Sequence, residues 1–249
     1  MKKTKIRRNI FVSIGVFFAL TGPLAAETFV TFDVPGAVST GSGAINPMGT
    51  ITGFYSDARN LTHGFARTFN GTVTTFDPPG SVFTSPSGIT PSGTITGSYY
   101  DANFVPHGFV RAPNGIITVF DVPGDVGGTV ASGINPMGTI MGNYIGADFA
   151  MHAFVRAANG TITPFDAPGA IAQTNPNAIN PMGTITGTQD VGGFAGPAWV
   201  RTPDGTLTTF EVPVPGAFTT LPTGITPNGT IAGFYIDESF VFHGFVRIP

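Results

Sequence analysis

A unit of about 45 residues recurs along the whole chain, and this repeat limits the fold more than any other feature. Gly-Thr-Ile stands at Gly49, Gly93, Gly138, Gly183 and Gly229. A Phe-acid pair ends at Asp33, Asp77, Asp121, Asp166 and Glu211, and an arginine follows at Arg67, Arg111, Arg156, Arg201 and Arg247. All three series step by 44 to 46 residues. Periods in this range belong to solenoids, propellers and repeat arrays, whose units bury apolar surface only against their neighbours.

Each unit divides into four short strand candidates. In the first, Gly43 to Asn46 leads into the turn Asn46-Pro47-Met48-Gly49. Proline at the second turn position and glycine at the fourth suit a type I turn. Thr50 to Ser56 and His63 to Phe69 follow as second and third strands, the latter alternating apolar and polar residues. Asn70-Gly71 supplies the positive-φ pair of a tight hairpin before Thr72 to Asp77. Four strands in such a length make a propeller blade. Thr28 to Asp33 reads as a lone fourth strand, while the last unit ends after a third strand, His243 to Ile248. Pairing the two would close a ring and remove the open edges. The expected fold is therefore all-β, a five-bladed β-propeller of four-stranded blades whose last blade is closed by the N-terminal strand.

The first 26 residues read differently. Lys2, Lys3, Lys5, Arg7 and Arg8 precede the apolar run Ile10 to Leu20, and small residues end at Ala25-Ala26. This is the layout of a secretory signal peptide, and the run is shorter than the roughly 20 residues a membrane span needs. The expected organisation is a signal peptide at 1–26 and a single domain at 27–249, secreted or periplasmic, monomeric, with no transmembrane segment in the mature chain. Without the signal, six arginines face fourteen acidic residues and no lysine remains. Such a surface repels phosphate backbones, so nucleic acid is not an expected partner. The absence of cysteine excludes disulfides and thiolate metal sites. Abundant glycine and proline suit disorder, but 23 phenylalanines, most of them periodic, argue for a packed β-fold.

The turns after first and third strands are minimal and share one face. The other face carries the longer second-to-third loops and the crossings between blades, and function resides more often on such loops. Asp57, Asp101, Asp148, Asp190 and Asp237 lie there near the ends of second strands. His63, His107, His152 and His243 begin third strands, near Asp77, Asp121 and Asp166 at the ends of fourth strands. A histidine between two carboxylates suits a structural network, an Asp-His-Asp metal site or an acid-base pair. Fourfold recurrence favours the network, so no catalytic residue, metal site or cofactor is assigned. Phe104, Phe149, Phe194 and Phe240 each stand three residues before the histidine position, where the first blade has Asn60. Aromatic residues beside acids suit stacking on sugar rings; the other reading is that each ring plugs the gap between blades. The fourth unit departs from the pattern, with Pro197, Trp199 and Gln189 in place of histidine, phenylalanine and tyrosine.

The run Gly133-Ile134-Asn135-Pro136-Met137-Gly138 with His152-Ala153-Phe154 resembles the extracellular repeats named for their His-Ala-Phe motif. Three other units read His-Gly-Phe, at His63, His107 and His243, and the fourth departs with Pro197-Ala198-Trp199. The resemblance spans nearly all of Thr28 to Pro249. It implies export and a repeat architecture and names no activity. The leading expectation is a non-catalytic binding module that takes a glycan or other polar extracellular ligand through the long-loop face, at the five acids and four phenylalanines above. The alternatives are a glycan-active hydrolase or lyase with its site at the mouth of the central channel, and a structural surface or matrix protein.

Overall fold

The computed structural model of the protein describes residues 29–192 and 195–249, without the side chain of Ala195. The expected signal peptide, Thr28 of the expected closing strand and Phe194 lie outside the described residues. Residues 29–32 form neither strand nor helix, and all nineteen described strands lie within Asp33–Pro249.

The first unit holds β1 (Ser39–Ile45), β2 (Ile51–Ser56), β3 (Thr62–Arg67) and β4 (Val73–Phe76). The second holds β5 (Phe83–Ile89), β6 (Ile95–Tyr100), β7 (Pro106–Arg111) and β8 (Ile117–Phe120). The third holds β9 (Thr129–Ile134), β10 (Ile140–Ile145), β11 (Met151–Arg156) and β12 (Ile162–Phe165). The fourth holds β13 (Thr174–Ile179), β14 (Ile185–Asp190), β15 (Ala195–Arg201) and β16 (Leu207–Phe210). The fifth holds β17 (Ala217–Ile225), β18 (Ile231–Asp237) and β19 (Phe242–Arg247). Strands within a unit pair antiparallel in chain order, and one parallel bridge, Thr62 to Phe83, ties the first unit to the second.

First strands start earlier than the sequence suggests: β1 begins at Ser39 rather than Gly43 because Ser39 pairs with Ser56. A bulge between Ser42 and Ala44 breaks its alternation, and the same irregularity recurs between Pro86 and Gly88 and between Pro176 and Ala178. A bulge moves every later side chain to the opposite face, so a period-two search loses the strand there.

Second strands each carry a glycine with a steric reason. A Cβ at Gly53, Gly97, Gly142, Gly187 or Gly233 would lie 2.0 to 2.2 Å from a first-strand carbonyl oxygen. The same close approach lets a third-strand ring lie across the glycine: Phe65, Phe109, Phe154, Trp199 and Phe245 all come within 3.0 Å of that Cβ position. The first four of these rings are fully buried.

The core lies between units. Phe76 of the first unit packs edge-on against Phe109 of the second, with centroids 5.9 Å apart. Phe120–Phe154, Phe165–Trp199 and Phe210–Phe245 repeat the contact at 6.0, 5.4 and 6.2 Å. Such pairs contribute about 0.5–1.5 kcal/mol each beyond the area they bury. The arginine ladder closes the stack from the short-turn side. Arg111, Arg156, Arg201 and Arg247 lie over the preceding unit's Phe76, Phe120, Phe165 and Phe210 at 4.8 to 5.0 Å. Buried asparagines also join units, Asn46 donating to the Thr90 carbonyl at 3.0 Å and Asn180 to Thr226 at 3.0 Å.

This packing runs from each unit to the next, but the described strands do not form the closed ring of five that the repeat predicts. A Cβ at Gly43 would meet Pro86 and one at Gly88 would meet Ile134 of the next unit, whereas Gly224 of the fifth has nothing within 4 Å. Ile45 of the first unit is 66% exposed and Val246 of the fifth is 67% exposed.

Candidate functional site

The second-to-third loops share one backbone design. In the second unit the Asp101 amide donates to the Val105 carbonyl, and the Phe104 amide donates to the Asp101 carbonyl. Oδ1 of Asp101 takes the Asn103 and Val105 amides, both at 2.9 Å. Asp57 holds the Arg59 and Leu61 amides, and Asp237 the Ser239 and Val241 amides, in the same way. Acidic side chains suit this position because one carboxylate oxygen satisfies two turn amides at once. The amide of Leu61 is the largest cause holding the Asp57 carboxyl down to about 2, with Arg59 adding to it. Val105 and Val241 are the chief causes that lower Asp101 and Asp237.

The turn forces one residue into the left-handed region. It is Asn60 in the first unit, at φ 62°, and Phe104, Phe149 and Phe240 in the second, third and fifth, at 60°, 62° and 59°. Asparagine tolerates this conformation, whereas phenylalanine there is an outlier. The three rings are 74%, 84% and 70% exposed, so they do not plug the gaps between units. Phe240 touches Phe218 edge-on at 5.7 Å. Phe104 and Phe149 have no aromatic partner among the described residues.

Under these loops lies the histidine network. His63 donates from Nδ1 to Asp77 at 2.6 Å, His107 to Asp121 at 2.9 Å and His152 to Asp166 at 2.8 Å. A second-strand tyrosine flanks each histidine, with Tyr55–His63, Tyr99–His107 and Tyr144–His152 centroids 5.0 to 5.2 Å apart. Tyr235 stacks on His243 at 4.8 Å. Oδ1 of Asp77 also accepts from the Thr84 hydroxyl of the next unit at 2.6 Å, so the network ties neighbouring units. Thr174 reaches Asp166 more loosely, at 3.4 Å.

The five second-strand acids are not equivalent. Asp57, Asp101 and Asp237 stand six residues before the histidine, but the third unit has Gly146 at that place and its acid two residues later. Asp148 therefore sits within the loop, where Oδ1 takes the Ala150 amide at 3.1 Å and Nε2 of His152 at 3.0 Å. With Asp166 on Nδ1, both ring nitrogens of His152 donate, an arrangement only the imidazolium satisfies. Burial opposes that charge, but Asp148 and Asp166 overcome it and raise the His152 pKa. The hydrogen bond from His152 is in turn the largest cause lowering Asp148. No group of three or more metal-holding side chains occurs among the described residues. Asp148, His152, Asp166, Gln173 and Thr174 line a polar cavity of about 140 Å³ between the third and fourth units. Asp57 and Asp101 stay 3.6 and 3.8 Å from Nε2 of their histidines, and Asp237 lies at 3.1 Å.

The fourth unit replaces the network. Asp190, seven residues before Pro197, takes the Gly192 amide at 2.7 Å. Gln189 is buried and donates to the Pro168 carbonyl at 2.8 Å, and Trp199 donates to the Thr188 carbonyl at 2.9 Å. Spacing from the histidine position is the sequence signal that separates Asp148 and Asp190 from the other three acids. The partner threonines carry no such signal, because threonine is frequent throughout the chain.

No protein-family model matches the chain, and no curated protein does either. Solved structures do. A streptogramin B lyase is 16% identical over 88% of this chain and 71% of its own, with a TM-score of 0.53. A catalytically inactive virginiamycin B lyase from Staphylococcus aureus, solved with quinupristin, is 16% identical over 84% of this chain and 71% of its own, at 0.54. TolB from Acinetobacter baumannii is 14% identical over 69% of this chain and 42% of its own, at 0.51. At such identities the likeness speaks for architecture alone: the chain has an all-β, propeller-like fold.

Proposed function

We propose that the protein is an exported, non-catalytic binding module that presents aromatic loop tips to the faces of sugar rings. The observation that carries this reading is the placement of Phe104, Phe149 and Phe240, exposed and at positive φ. A left-handed conformation costs a non-glycine residue about 1–2 kcal/mol, and rings exposed by 70% to 84% return little to the fold through burial. Asn60 shows that a better-suited residue fits the same turn. A ring kept under these conditions fits a role outside the fold.

Beside Phe149 stands Asp148, whose side chain is 62% exposed and able to accept a sugar hydroxyl. An apolar ring next to a hydrogen-bond acceptor matches a pyranose, which has a C–H face and a hydroxyl rim. An acidic, lysine-free surface disfavours anionic lipid and nucleic acid. Asp57, Asp101, Asp190 and Asp237 enter this reading as loop holders beside the contact, with Phe194 as the fourth unit's ring. Several similar sites on one face would raise a weak single-site affinity through avidity. Segment 1–26 would direct export to the periplasm or beyond, and the units would be repeats of the His-Ala-Phe type.

Completion of the ring belongs to the same proposal: residues 29–33 supply the fourth strand of the fifth unit, making a five-bladed propeller. Phe29-Val30-Thr31-Phe32-Asp33 aligns with Val73-Thr74-Thr75-Phe76-Asp77. A Cβ at Gly64 or Gly108 would meet fourth-strand Phe76 or Phe120 at 2.7 or 2.5 Å, whereas at Gly244 the nearest atom is the Gly233 oxygen at 4.0 Å. In that alignment Asp33 takes the place of Asp77, the acid that accepts from Nδ1 of His63. Deleting residues 27–33 should lower the melting temperature sharply or give oligomers, and an unchanged monomer would refute closure.

A glycan array probed with the mature protein and with Phe104→Asn/Phe149→Asn/Phe240→Asn tests the binding function. Saturable binding lost in the triple variant supports it. Equal binding by both proteins, or turnover of an arrayed glycan, would overturn it.

A further inference from the structure

Between the third and fourth units, on the short-turn face, lies a cavity of about 270 Å³ that is remote from the aromatic loops. Its walls include the hydroxyl-bearing Thr139, Thr161 and Thr163, the small Ala157, and Arg201. Among the described residues no carboxylate lines it. Ala157-Ala158 occupies the place of Thr68-Phe69 in the first unit and Thr202-Pro203 in the fourth, so small side chains leave the space open.

Arg201 is 8% exposed and forms no ion pair among the described residues. Its Nη1 donates a long bond, 3.4 Å, to the Thr202 carbonyl, and its buried Nε has no partner among the described residues. The Phe165 ring offsets part of the cost of burying the cation. The charge of Asp204 acts on Arg201, but the Thr202 hydroxyl and the Thr206 amide hold that carboxylate. Arg111 and Arg156 likewise hold Nε unpartnered over a ring, but Arg201 is the more fully buried and, of the three, the one that lines this cavity; buried charges are ordinarily paired.

We infer that this cavity is a binding site for a small carboxylate, with Arg201 supplying the charge and the threonine hydroxyls orienting the ligand. The volume falls just under the roughly 300 Å³ at which pockets for drug-sized ligands begin, which sets the occupant at one small acid. Arginine suits the task because its planar fork can meet both carboxylate oxygens.

The test uses the intact mature protein labelled with ¹⁵N, reading the arginine Nε–H signals at constant ionic strength. Sodium acetate probes the bare carboxylate, sodium glucuronate a carboxylate borne on a sugar, and glucose the neutral ring. Loss of one signal in Arg201→Lys assigns Arg201, and through-bond backbone experiments do so if that variant misfolds. The expected result is a saturable shift of the Arg201 signal with acetate or glucuronate and none with glucose. Arg111 and Arg156, which do not line the cavity, should hold still. Ala157→Leu, which fills the space, should keep the β-sheet circular dichroism spectrum and lose the response at least tenfold in apparent affinity. A response to glucose alone, no response to either acid, parallel drift of all three arginines, or an undiminished response in Ala157→Leu would each overturn the proposal.

Discussion

Turns on the two faces of the units solve the same backbone problem with different residues. On the short-turn face, Gly49, Gly93 and Gly138 close first hairpins at φ 73° to 89°, and Gly71, Gly115 and Gly160 close the next ones at 91° to 94°. The Gly93 amide donates to the Thr90 carbonyl at 3.0 Å, and the Phe104 amide donates to the Asp101 carbonyl at the same distance. The turn is closed alike on both faces, yet the long-loop face has phenylalanine or asparagine where the other has glycine. Backbone demand explains these glycines on the first face and those in the crossings of the second, such as Gly80 and Gly124. In the second-to-third loops of the first, second, third and fifth units it explains only Asn60. The difference separates turns chosen for the chain's path from turns chosen for the side chain they display.

The largest effect should come from adding bulk where the path itself requires glycine. Gly142→Ala would place a Cβ 2.1 Å from the Val130 oxygen and against Phe154. Such overpacking costs about 1–3 kcal/mol and occasionally more, and urea titration should show a loss at the top of that range. Gly115→Phe should cost about 1–2 kcal/mol through φ alone, because the nearest atom to its Cβ position, a nitrogen of Arg111, lies at an ordinary 3.6 Å. On the opposite face the sign should reverse. Phe149→Asn should stabilise the protein by roughly 1 kcal/mol, since asparagine adopts the left-handed conformation at less strain. Equal losses at Gly115→Phe and Phe149→Asn would erase the contrast between the faces.

A smaller effect separates the third unit's acid from its counterparts. Raised in the folded protein, the His152 pKa gives stability that is complete below about pH 6.5 and is lost as pH rises through the folded value. The lowered Asp148 pKa works in the other direction, giving stability above its ordinary 3.8 that is lost as pH falls through the folded value. Melting temperatures should therefore fall on the alkaline side more in the parent than in His152→Gln, and identical profiles would show that the contact contributes nothing.

Much of this arrangement is legible in the sequence because the repeat places equivalent residues in register. The strands, the Gly-Thr-Ile turns, the arginine ladder and the His–Asp pairs all follow from ladders at one spacing. The bulges near Gly43 and Gly88 are not legible, because glycine-rich strands carry no alternation to read. Whether Phe104 packs inward or points outward is not legible either, since that depends on φ at one loop residue. The early start of β1, the threonine that joins His63–Asp77 to the next unit, and the open cavity beside Arg201 depend on how neighbouring units meet. A one-dimensional pattern does not encode that distance.

The account stands most directly on the paired behaviour of Phe104→Asn/Phe149→Asn/Phe240→Asn. Calorimetric melting and titration with the strongest array ligand should be run on one preparation of this variant beside the parent. The predicted result is a higher melting temperature together with at least a tenfold loss of ligand affinity. A lower melting temperature with affinity unchanged would show that the rings serve the fold, and would contradict the claim that they are held out for a ligand.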